Sequence, residues 1–454
     1  MTTESRLGMF AQAFRWLALA LAFALTGCAT SHVMMPTPVL YTGPNARPLL
    51  TDPPVDNRPP SLDLLFLTDR APAQQADGLR YTAARSRSIA FGSATVEFGE
   101  GLSWGTLIDE STAAQRGTRL QLKLGSTMEL GRFPPIPYEV AVLPDGVRRA
   151  RAVVDAYEKA KRELQADIAR RLTLAHRKEV VLFVHGYHSS FETAALTMGE
   201  LCHFLGRDFV CGIFTWPAGG QGGGRFGYDV DRESSEYAIE DLVKLIRIIG
   251  RTPGVEKVHL IAHSRGTDTL ASALAQLSAE AYTLRSSPER EFHIGKVVLI
   301  APDLDGDVAA TKIFKVFSDP DLPFGGGPDP EAVIPPAPGL RVTLYVSPDD
   351  KAIAMAGWLF GSVARLGRLD ATMFTPEQIE AIGMLRVVDI VEVRGTTDFF
   401  GHDYFVSNPQ VSADIIAMLR YDLRPNEPGR PLDHVAGPFW RVPALSAPDA
   451  PKSE

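Results

Sequence analysis

A serine between small residues is the sharpest chemical signal in this chain of 454 residues. Residues 262–266 read AHSRG, with Ser264 at the centre. They directly follow an apolar run over 257–262 that predicts a buried strand, and they open a predicted helix over 267–277. A serine on such a tight turn can act as a nucleophile over the edge of a sheet. The usual form is Gly-x-Ser-x-Gly, which here has Ala262 in the first place; the alternative is a serine that only caps the helix.

A second motif supplies donors for the negative charge that acyl transfer creates. Residues 180–184 (VVLFV) predict a strand buried on both faces, and His185-Gly-Tyr follows it directly. In this position a loop can turn a backbone N–H toward the nucleophile, and the helix N-terminus after the serine supplies another. We therefore predict an oxyanion hole made by the backbone N–H groups of Tyr187 and Arg265. We expect the side chain of His185 to be structural.

A serine also needs a base to take its proton. The predicted strand over 386–393 is followed by the loop RGTTDFFGHDY, which contains His402. His434 is the only later histidine, and it lies in a Pro-rich tail. We predict that His402 is the base, because a loop after the last strand can reach back to the serine.

The base in turn needs a carboxylate that fixes its tautomer. A predicted strand over 341–346 is followed by Asp349 and Asp350, and another over 296–301 is followed by Asp303. We choose Asp350 as the acid, with Asp349 second and Asp303 third. Each could instead be an ordinary turn or helix-cap aspartate.

The elements that position these residues alternate from residue 178 onward. Apolar runs of strand length are separated by segments with helical spacing, which predicts a mostly parallel sheet with helices on both faces. Ligands of such sheets bind at the carboxyl ends of the strands. The further predicted strand covers 209–216, and the further predicted helices cover 194–205 and 234–249.

Residues from about 178 to 420 resemble a family of uncharacterised bacterial α/β-hydrolases, many of which are lipoproteins. The order Ser…Asp…His along the chain is also the order of α/β-hydrolases. The resemblance implies an esterase-like fold and a triad of Ser264, Asp350 and His402, but no particular substrate. The similar stretches are FVHGYHSSFETAA, FTWPAGG, GYDVDRESSEYA, HLIAHSRGTDTL, LIAPDLDGD, LYVSPDDKAIAMA and RGTTDFFGHDYF.

The beginning of the chain predicts export and lipid attachment. Basic residues precede an apolar run over 16–25, which is too short to span a bilayer comfortably. The run ends in LTGC, which resembles the lipobox of bacterial lipoproteins and makes Cys28 the acylated residue. The alternative is an ordinary secretory signal. Ala29 after the cysteine resembles an outer-membrane address, so we expect a cell-envelope protein held by lipid on the periplasmic side of the outer membrane.

The remaining sequence divides into segments by composition. We predict a signal peptide over 1–27, a Pro-rich tether over 28–60, an N-terminal extension over 61–176, the hydrolase domain over 177–423 and a Pro-rich tail over 424–454. The extension shows short strand-like runs at 62–68 and 120–124 and a helical pattern over 147–176. Export would place Cys202 and Cys211 in an oxidising compartment. We expect two buried thiols there, with a disulfide as the alternative.

Composition excludes several other classes of function. The net charge is −8 and no basic patch appears, which argues against a nucleic-acid partner. No His/Cys cluster has zinc-ligand spacing, and acyl-enzyme chemistry needs no metal or cofactor. We therefore expect a serine hydrolase acting on a small-molecule or lipid carboxylic ester. The alternatives are a thioesterase or peptidase with the same triad, and a non-catalytic envelope lipoprotein with a hydrolase-like fold.

Overall fold

The computed structural model describes a large part of the chain. It covers residues 32–51, 60–76, 78–220, 224–312, 340–360, 365–395 and 400–444, together with residues 321, 328, 329 and 331. The predicted signal peptide and the lipid-attachment site Cys28 lie outside these residues. None of the helices in the covered ranges is both long and apolar enough to cross a membrane.

One sheet organises the described residues. The strands are β1 (His32–Val33), β2 (Ser61–Gln75), β3 (Gly78–Phe98), β4 (Gln121–Arg132), β5 (Val140–Leu143), β6 (Gly146–Arg149), β7 (Glu179–Val184), β8 (Val210–Thr215), β9 (Lys257–His263), β10 (Ile294–Ile300), β11 (Val342–Val346), β12 (Val388–Glu392), β13 (Asp433–Ala436) and β14 (Phe439–Arg441). Twelve of them join in the order β1-β4-β3-β2-β8-β7-β9-β10-β11-β12-β14-β13, and β5 and β6 form a separate hairpin. In the run β2-β8-β7-β9-β10-β11-β12-β14 of this order, every pair of neighbouring strands is parallel. The predicted α/β-hydrolase fold is therefore confirmed.

Helices cover both faces of this sheet. The helices are α1 (Trp104–Thr112), α2 (Arg151–Leu174), α3 (Phe191–Phe204), α4 (Gly224–Tyr237), α5 (Ile239–Gly250), α6 (Gly266–Thr283), α7 (Pro288–Phe292), α8 (Gly306–Lys312), α9 (Lys351–Phe360), α10 (Pro376–Leu385), α11 (Tyr404–Ser407) and α12 (Pro409–Arg420), with 3-10 turns at Val39–Tyr41, Leu366–Arg368 and Ala371–Met373. Side chains of α2, α5 and α6 belong to one hydrophobic core, and side chains of α3 and α12 belong to the other.

The central strand β7 shows why a continuous apolar run is needed here. All six of its residues are buried. Val180, Leu182 and Val184 point into one core, whereas Val181 and Phe183 point into the other. Side chains of a strand alternate between faces, so the run over 180–184, which is covered on both faces, is apolar at every position.

The N-terminal extension continues the same sheet. Residues 61–75 and 78–98 form a long antiparallel hairpin, and β2 pairs in parallel with β8, for example through Leu67 and Phe214. The short strands that we predicted are therefore much longer, because regular pairing carries the strands through polar positions that end the apolar runs. The helix predicted over 147–176 is observed as α2 over Arg151–Leu174, and residues 147–149 belong to β6 instead.

The Pro-rich segments also differ from prediction. A tether over 28–60 is wrong for residues 32–51, where Met35, Tyr41 and Leu49 are buried against the domain. Arg420 donates to the carbonyl of Leu49 at 2.7 Å and to the hydroxyl of Tyr41 at 3.0 Å. A few apolar side chains are thus enough to pack this Pro-rich segment against the domain.

The tail is likewise part of the fold. Residues 433–441 form the hairpin of β13 and β14, and β14 extends the parallel sheet beside β12. Phe439 is buried in the core, which explains why a segment rich in proline is held in place. The described tail ends at residue 444, and the remainder lies outside the described residues.

Two further expectations need correction. The predicted helix over 234–249 is observed as two helices, α4 and α5, which meet at Ala238, and α4 begins ten residues earlier. Cys202 and Cys211 form a disulfide with their Cα atoms 6.1 Å apart, so the expectation of two thiols was wrong. The end of α3 and the start of β8 bring the two residues within the range that a disulfide bridges.

Candidate active site

Ser264 lies on a sharp turn between β9 and α6. Its φ is +51°, a left-handed conformation that is uncommon for a residue with a side chain and typical of strained functional turns. The turn is fixed from the neighbouring strand, because the backbone N–H of Ser264 donates to the carbonyl of Ile300 at 2.9 Å. Ala262 is fully buried within β9 and has no positive φ, so the turn does not require glycine there.

Glycine is required on the other side of the serine. A Cβ at Gly266 would lie 2.3 Å from the carbonyl oxygen of His185 and 2.8 Å from that of Val184. A Cβ at Gly186 would lie 2.6 Å from the Cβ of Ser264. The loop after β7 therefore runs directly against the serine turn, and both glycines permit that approach.

Replacing Gly266 with Ala is expected to lower the free energy of unfolding by about 3 kcal/mol. The new methyl group would meet backbone carbonyls at the end of a central strand, which cannot move without shifting the sheet. Urea unfolding followed by fluorescence measures the change. Gly105→Ala is the matched control: its Cβ meets nothing nearer than 3.8 Å on α1, so we expect a gain of about 0.5–1 kcal/mol. Equal stability of the two variants would contradict the close approach.

The structure brings His402 and Asp350 together. His402 Nδ1 lies 2.7 Å from Asp350 Oδ2, and the other carboxylate oxygen accepts the backbone N–H of Ile353 at 2.9 Å. Asp350 is fully buried after β11, at the start of α9. This contact places the proton of a neutral imidazole on Nδ1 and leaves its lone pair on Nε2, which is the tautomer that a general base needs.

The loop that carries His402 is anchored on both sides. Before it, Lys351 N–H donates to the carbonyl of Phe400 at 2.9 Å. After it, the buried hydroxyl of Tyr404 donates to the carbonyl of Tyr345 at 2.7 Å. His402 is therefore held at the carboxyl edge of the sheet by its neighbours as well as by Asp350.

The other two candidate acids have different partners. Asp349 is exposed and accepts the backbone N–H of Gly395 at 3.1 Å. Asp303 is buried, forms an ion pair with Arg365 at 2.9 Å and accepts a hydrogen bond from the hydroxyl of Tyr228. Among the three carboxylates, Asp350 is thus the one in contact with a ring nitrogen of His402.

His402 contacts the residue before Ser264 but is not hydrogen-bonded to Ser264 itself. Within the described residues, the hydroxyl of Ser264 makes no hydrogen bond. The ring of His263, the residue before the serine, packs 4.7 Å from the ring of His402, and its Nε2 lies 3.3 Å from the His402 carbonyl. Hydrogen bonds of catalytic groups are often long without substrate and tighten when it binds, so the missing hydrogen bond does not by itself exclude His402 as the base.

The two histidines differ in basicity. Burial alone would lower the pKa of His402, but the hydrogen bond and charge of Asp350 raise it above the ordinary histidine value. Burial, with a further contribution from the nearby His402, lowers the pKa of His263 to about 4. His263 therefore stays neutral near pH 7, and His402 is the ring suited to accept a proton.

The expected oxyanion donors lie in the loops around Ser264. Neither the backbone N–H of Tyr187 nor that of Arg265 donates to a protein acceptor in the part of the chain that the structure describes. Arg265 directly precedes α6, so its amide lies at a helix N-terminus. Both amides are therefore free of protein acceptors in the described residues, as the predicted oxyanion donors must be before a substrate binds.

The side chain of His185 has the structural role that we expected. The ring is buried and stacks on Trp216, whose backbone N–H donates to His185 Nε2 at 3.1 Å. Burial first, and the nearby Arg70 second, lower the pKa of His185 to about 3, so the ring is neutral. Because Nε2 accepts, the proton lies on Nδ1, which donates to the carbonyl of Gly186 at 2.9 Å.

A cluster of polar groups beside the serine includes Tyr228, which was not singled out from sequence. The side chain of Arg265 pairs with Asp268 at 2.7 Å, and the backbone N–H of Asp303 donates to the carbonyl of Ser264 at 3.3 Å. Tyr228 contacts Asp303 from α4, and its ring lies 5.3 Å from that of Tyr187. The only sequence signal for Tyr228 was its place in the stretch GYDVDRESSEYA. These contacts place paired polar groups next to the serine turn.

Comparison with known proteins agrees with this architecture. A family described as alpha/beta hydrolase of unknown function (DUF900) matches residues 160–419, more than half of the chain. No match was found among curated proteins. The matched range includes the serine turn, the loop after β7 and the His402–Asp350 pair. The chain therefore belongs to this family of α/β-hydrolases.

Proposed function

We propose that this protein is a lipid-anchored serine hydrolase that cleaves carboxylic esters through an acyl-enzyme. The observation that carries the proposal is the 2.7 Å contact between His402 and Asp350 at the sheet edge where Ser264 lies on its strained turn. A buried carboxylate that fixes the tautomer of a histidine beside an unusual serine is the arrangement of nucleophilic catalysis.

The reaction follows from these groups. Ser264 Oγ attacks the carbonyl carbon of the ester while His402 Nε2 takes its proton, and the amides of Tyr187 and Arg265 hold the oxyanion. The imidazolium then protonates the departing alcohol, which leaves an acyl-serine. Water attacks this ester with His402 again as base, the carboxylic acid is released and the serine regains its proton. Asp350 stabilises the imidazolium throughout.

Covalent labelling tests this proposal. A fluorophosphonate probe should modify the folded protein, and peptide mass spectrometry should locate the adduct on Ser264. Heat-denatured protein is the control, since labelling must depend on the assembled site. Absence of an adduct on folded protein, together with no hydrolysis of activated esters, would favour a non-catalytic envelope protein.

The substrate belongs to the same proposal. A small-molecule or lipid ester fits the acyl-enzyme route, whereas thioesters and peptides could use the same groups. Rates on p-nitrophenyl esters of increasing acyl length, compared with matched thioesters and peptide amides, distinguish these classes. We expect esters to give the highest kcat/KM; a preference for amides would replace the esterase assignment with a peptidase.

The proposed function also includes lipid attachment at Cys28. The disulfide between Cys202 and Cys211 fits an exported protein, because such bonds persist in oxidising compartments. Metabolic labelling with palmitate should mark the wild-type protein and not Cys28→Ser. Fractionation should find the wild type with the outer membrane, and a soluble, unlabelled wild type would disprove the anchor.

A further inference from the structure

One buried cation from the N-terminal extension joins the loops that surround the serine. Arg70 lies on β2 and is 1% exposed. Its Nε donates to Thr215 Oγ1 at 2.8 Å, and Nη1 donates to the carbonyl of Ala218 at 3.0 Å, both at or after the end of β8. Its Nη2 donates to the carbonyl of Ser189 at 2.6 Å and lies 3.3 Å from His185 Nε2, both in the loop after β7.

A buried carboxylate holds the same two loops through their backbone amides. Asp231, on α4, is 1% exposed and accepts the backbone N–H of His188 at 3.0 Å and that of Gly219 at 3.1 Å. The loop after β7 is thus fixed between an arginine and an aspartate. Charge-assisted hydrogen bonds of this kind are stronger than neutral ones and define geometry.

These contacts determine the direction of one particular amide. The C=O of Gly186 and the N–H of Tyr187 belong to the same trans peptide and point in opposite directions. The ring of His185 holds that C=O through Nδ1, and Arg70 contacts the same ring at Nε2. On the other side, Asp231 holds the next peptide through the N–H of His188. The orientation of the Tyr187 N–H is therefore fixed by contacts of its own peptide and of the next peptide.

We propose that Arg70 is a positioning residue for the oxyanion hole, acting through His185 to aim the amide of Tyr187 at the developing negative charge. This inference rests on the proposed function, and it gives the N-terminal extension a part in catalysis. Arg70 lies outside residues 160–419, so the hydrolase segment receives from β2 a group that its own residues do not supply. A preorganised donor contributes because it needs no reorientation during reaction.

The test separates positioning from simple stability. Arg70→Gln should lower kcat on an activated ester about 10- to 100-fold, since losing a whole oxyanion donor costs about 10²–10³. KM should change less than about threefold, and a trifluoromethyl ketone that forms a tetrahedral adduct should bind more weakly by the same factor as kcat.

The pH dependence of kcat/KM should stay that of wild type, because His402 and Asp350 are untouched. Arg70→Lys keeps the buried charge with fewer donors and should show a smaller loss in the same direction.

Arg420→Gln is the matched control. Arg420 is also buried, pairs with Asp208 at 2.9 Å and holds backbone carbonyls, but it does so at the opposite edge of the sheet. Its replacement should destabilise the fold while kcat of the folded protein stays within about twofold of wild type. Folded Arg70→Gln or Arg70→Lys with wild-type kcat and wild-type affinity for the ketone would overturn the positioning role. Inactivity of the wild type itself would instead reject the proposed function.

Discussion

Ser264→Ala is expected to lower kcat about 10⁶-fold, which is the cost of deleting the nucleophile of a serine hydrolase. The same change should leave the free energy of unfolding within about 0.5 kcal/mol of wild type. The hydroxyl makes no hydrogen bond within the described residues, and α6 has no side-chain cap. Ester hydrolysis and urea unfolding, measured on the same preparation, give both quantities.

The control for this prediction is a serine that caps a helix. Ser103 accepts the backbone N–H of Thr106 at 3.1 Å at the start of α1. Ser103→Ala should therefore lose about 1 kcal/mol of stability and keep its activity, the opposite pattern to Ser264→Ala. If Ser264→Ala lost stability and kept activity, Ser264 would be a cap and the mechanism would fail.

A double variant tests whether Ser264 and His402 act together. Groups that form one catalytic unit are strongly non-additive, so adding His402→Ala to Ser264→Ala should cause almost no further loss. Additive losses would show that the two residues work separately. The measurement tests functional coupling directly, because the two side chains are not hydrogen-bonded to each other in the structure.

Asp350→Asn is expected to lower kcat about 10⁴-fold, because an amide at this place favours the wrong tautomer of His402. A change in pH dependence should accompany the loss. The carboxylate raises the pKa of His402 against the effect of burial, and without it burial lowers that pKa. Since the base must be neutral, residual kcat/KM should reach its plateau at a lower pH than in wild type.

Asp349→Asn controls for a general effect of charge. Asp349 is adjacent in sequence, exposed and bonded to the backbone of Gly395. Its replacement should leave kcat within about twofold of wild type and the pH profile in place. A larger loss in Asp349→Asn than in Asp350→Asn would transfer the role of acid to Asp349.

The candidate site could be located from sequence because its signals are local. Ser264, His402 and Asp350 each follow a short apolar run, and such runs end at the same edge of a parallel sheet. The choice among Asp350, Asp349 and Asp303 needed coordinates, because three similar turns offer similar carboxylates. In the structure, Asp303 contacts Arg365 and Tyr228, and Asp349 accepts the backbone N–H of Gly395.

The contribution of the N-terminal extension could not be predicted. Arg70 is 115 residues from His185 and 145 from Thr215, and nothing near it in sequence indicates those partners. Hydrophobic periodicity identifies strands but not their neighbours in the sheet. For the same reason, composition alone made a tether of residues 32–51 and a tail of residues 433–441, although several of their apolar side chains are buried.

The docking of residues 32–51 has a consequence for how the protein would meet its substrate. If Cys28 carries lipid, only three residues separate it from His32, which pairs with β4. The fully extended distance from Cys28 to His32 is about 14 Å, whereas a flexible tether over 28–60 could extend to about 110 Å. The folded domain would then stay close to the bilayer surface. Its rate of ester hydrolysis would depend on the surface density of esters in that leaflet more than on their bulk concentration.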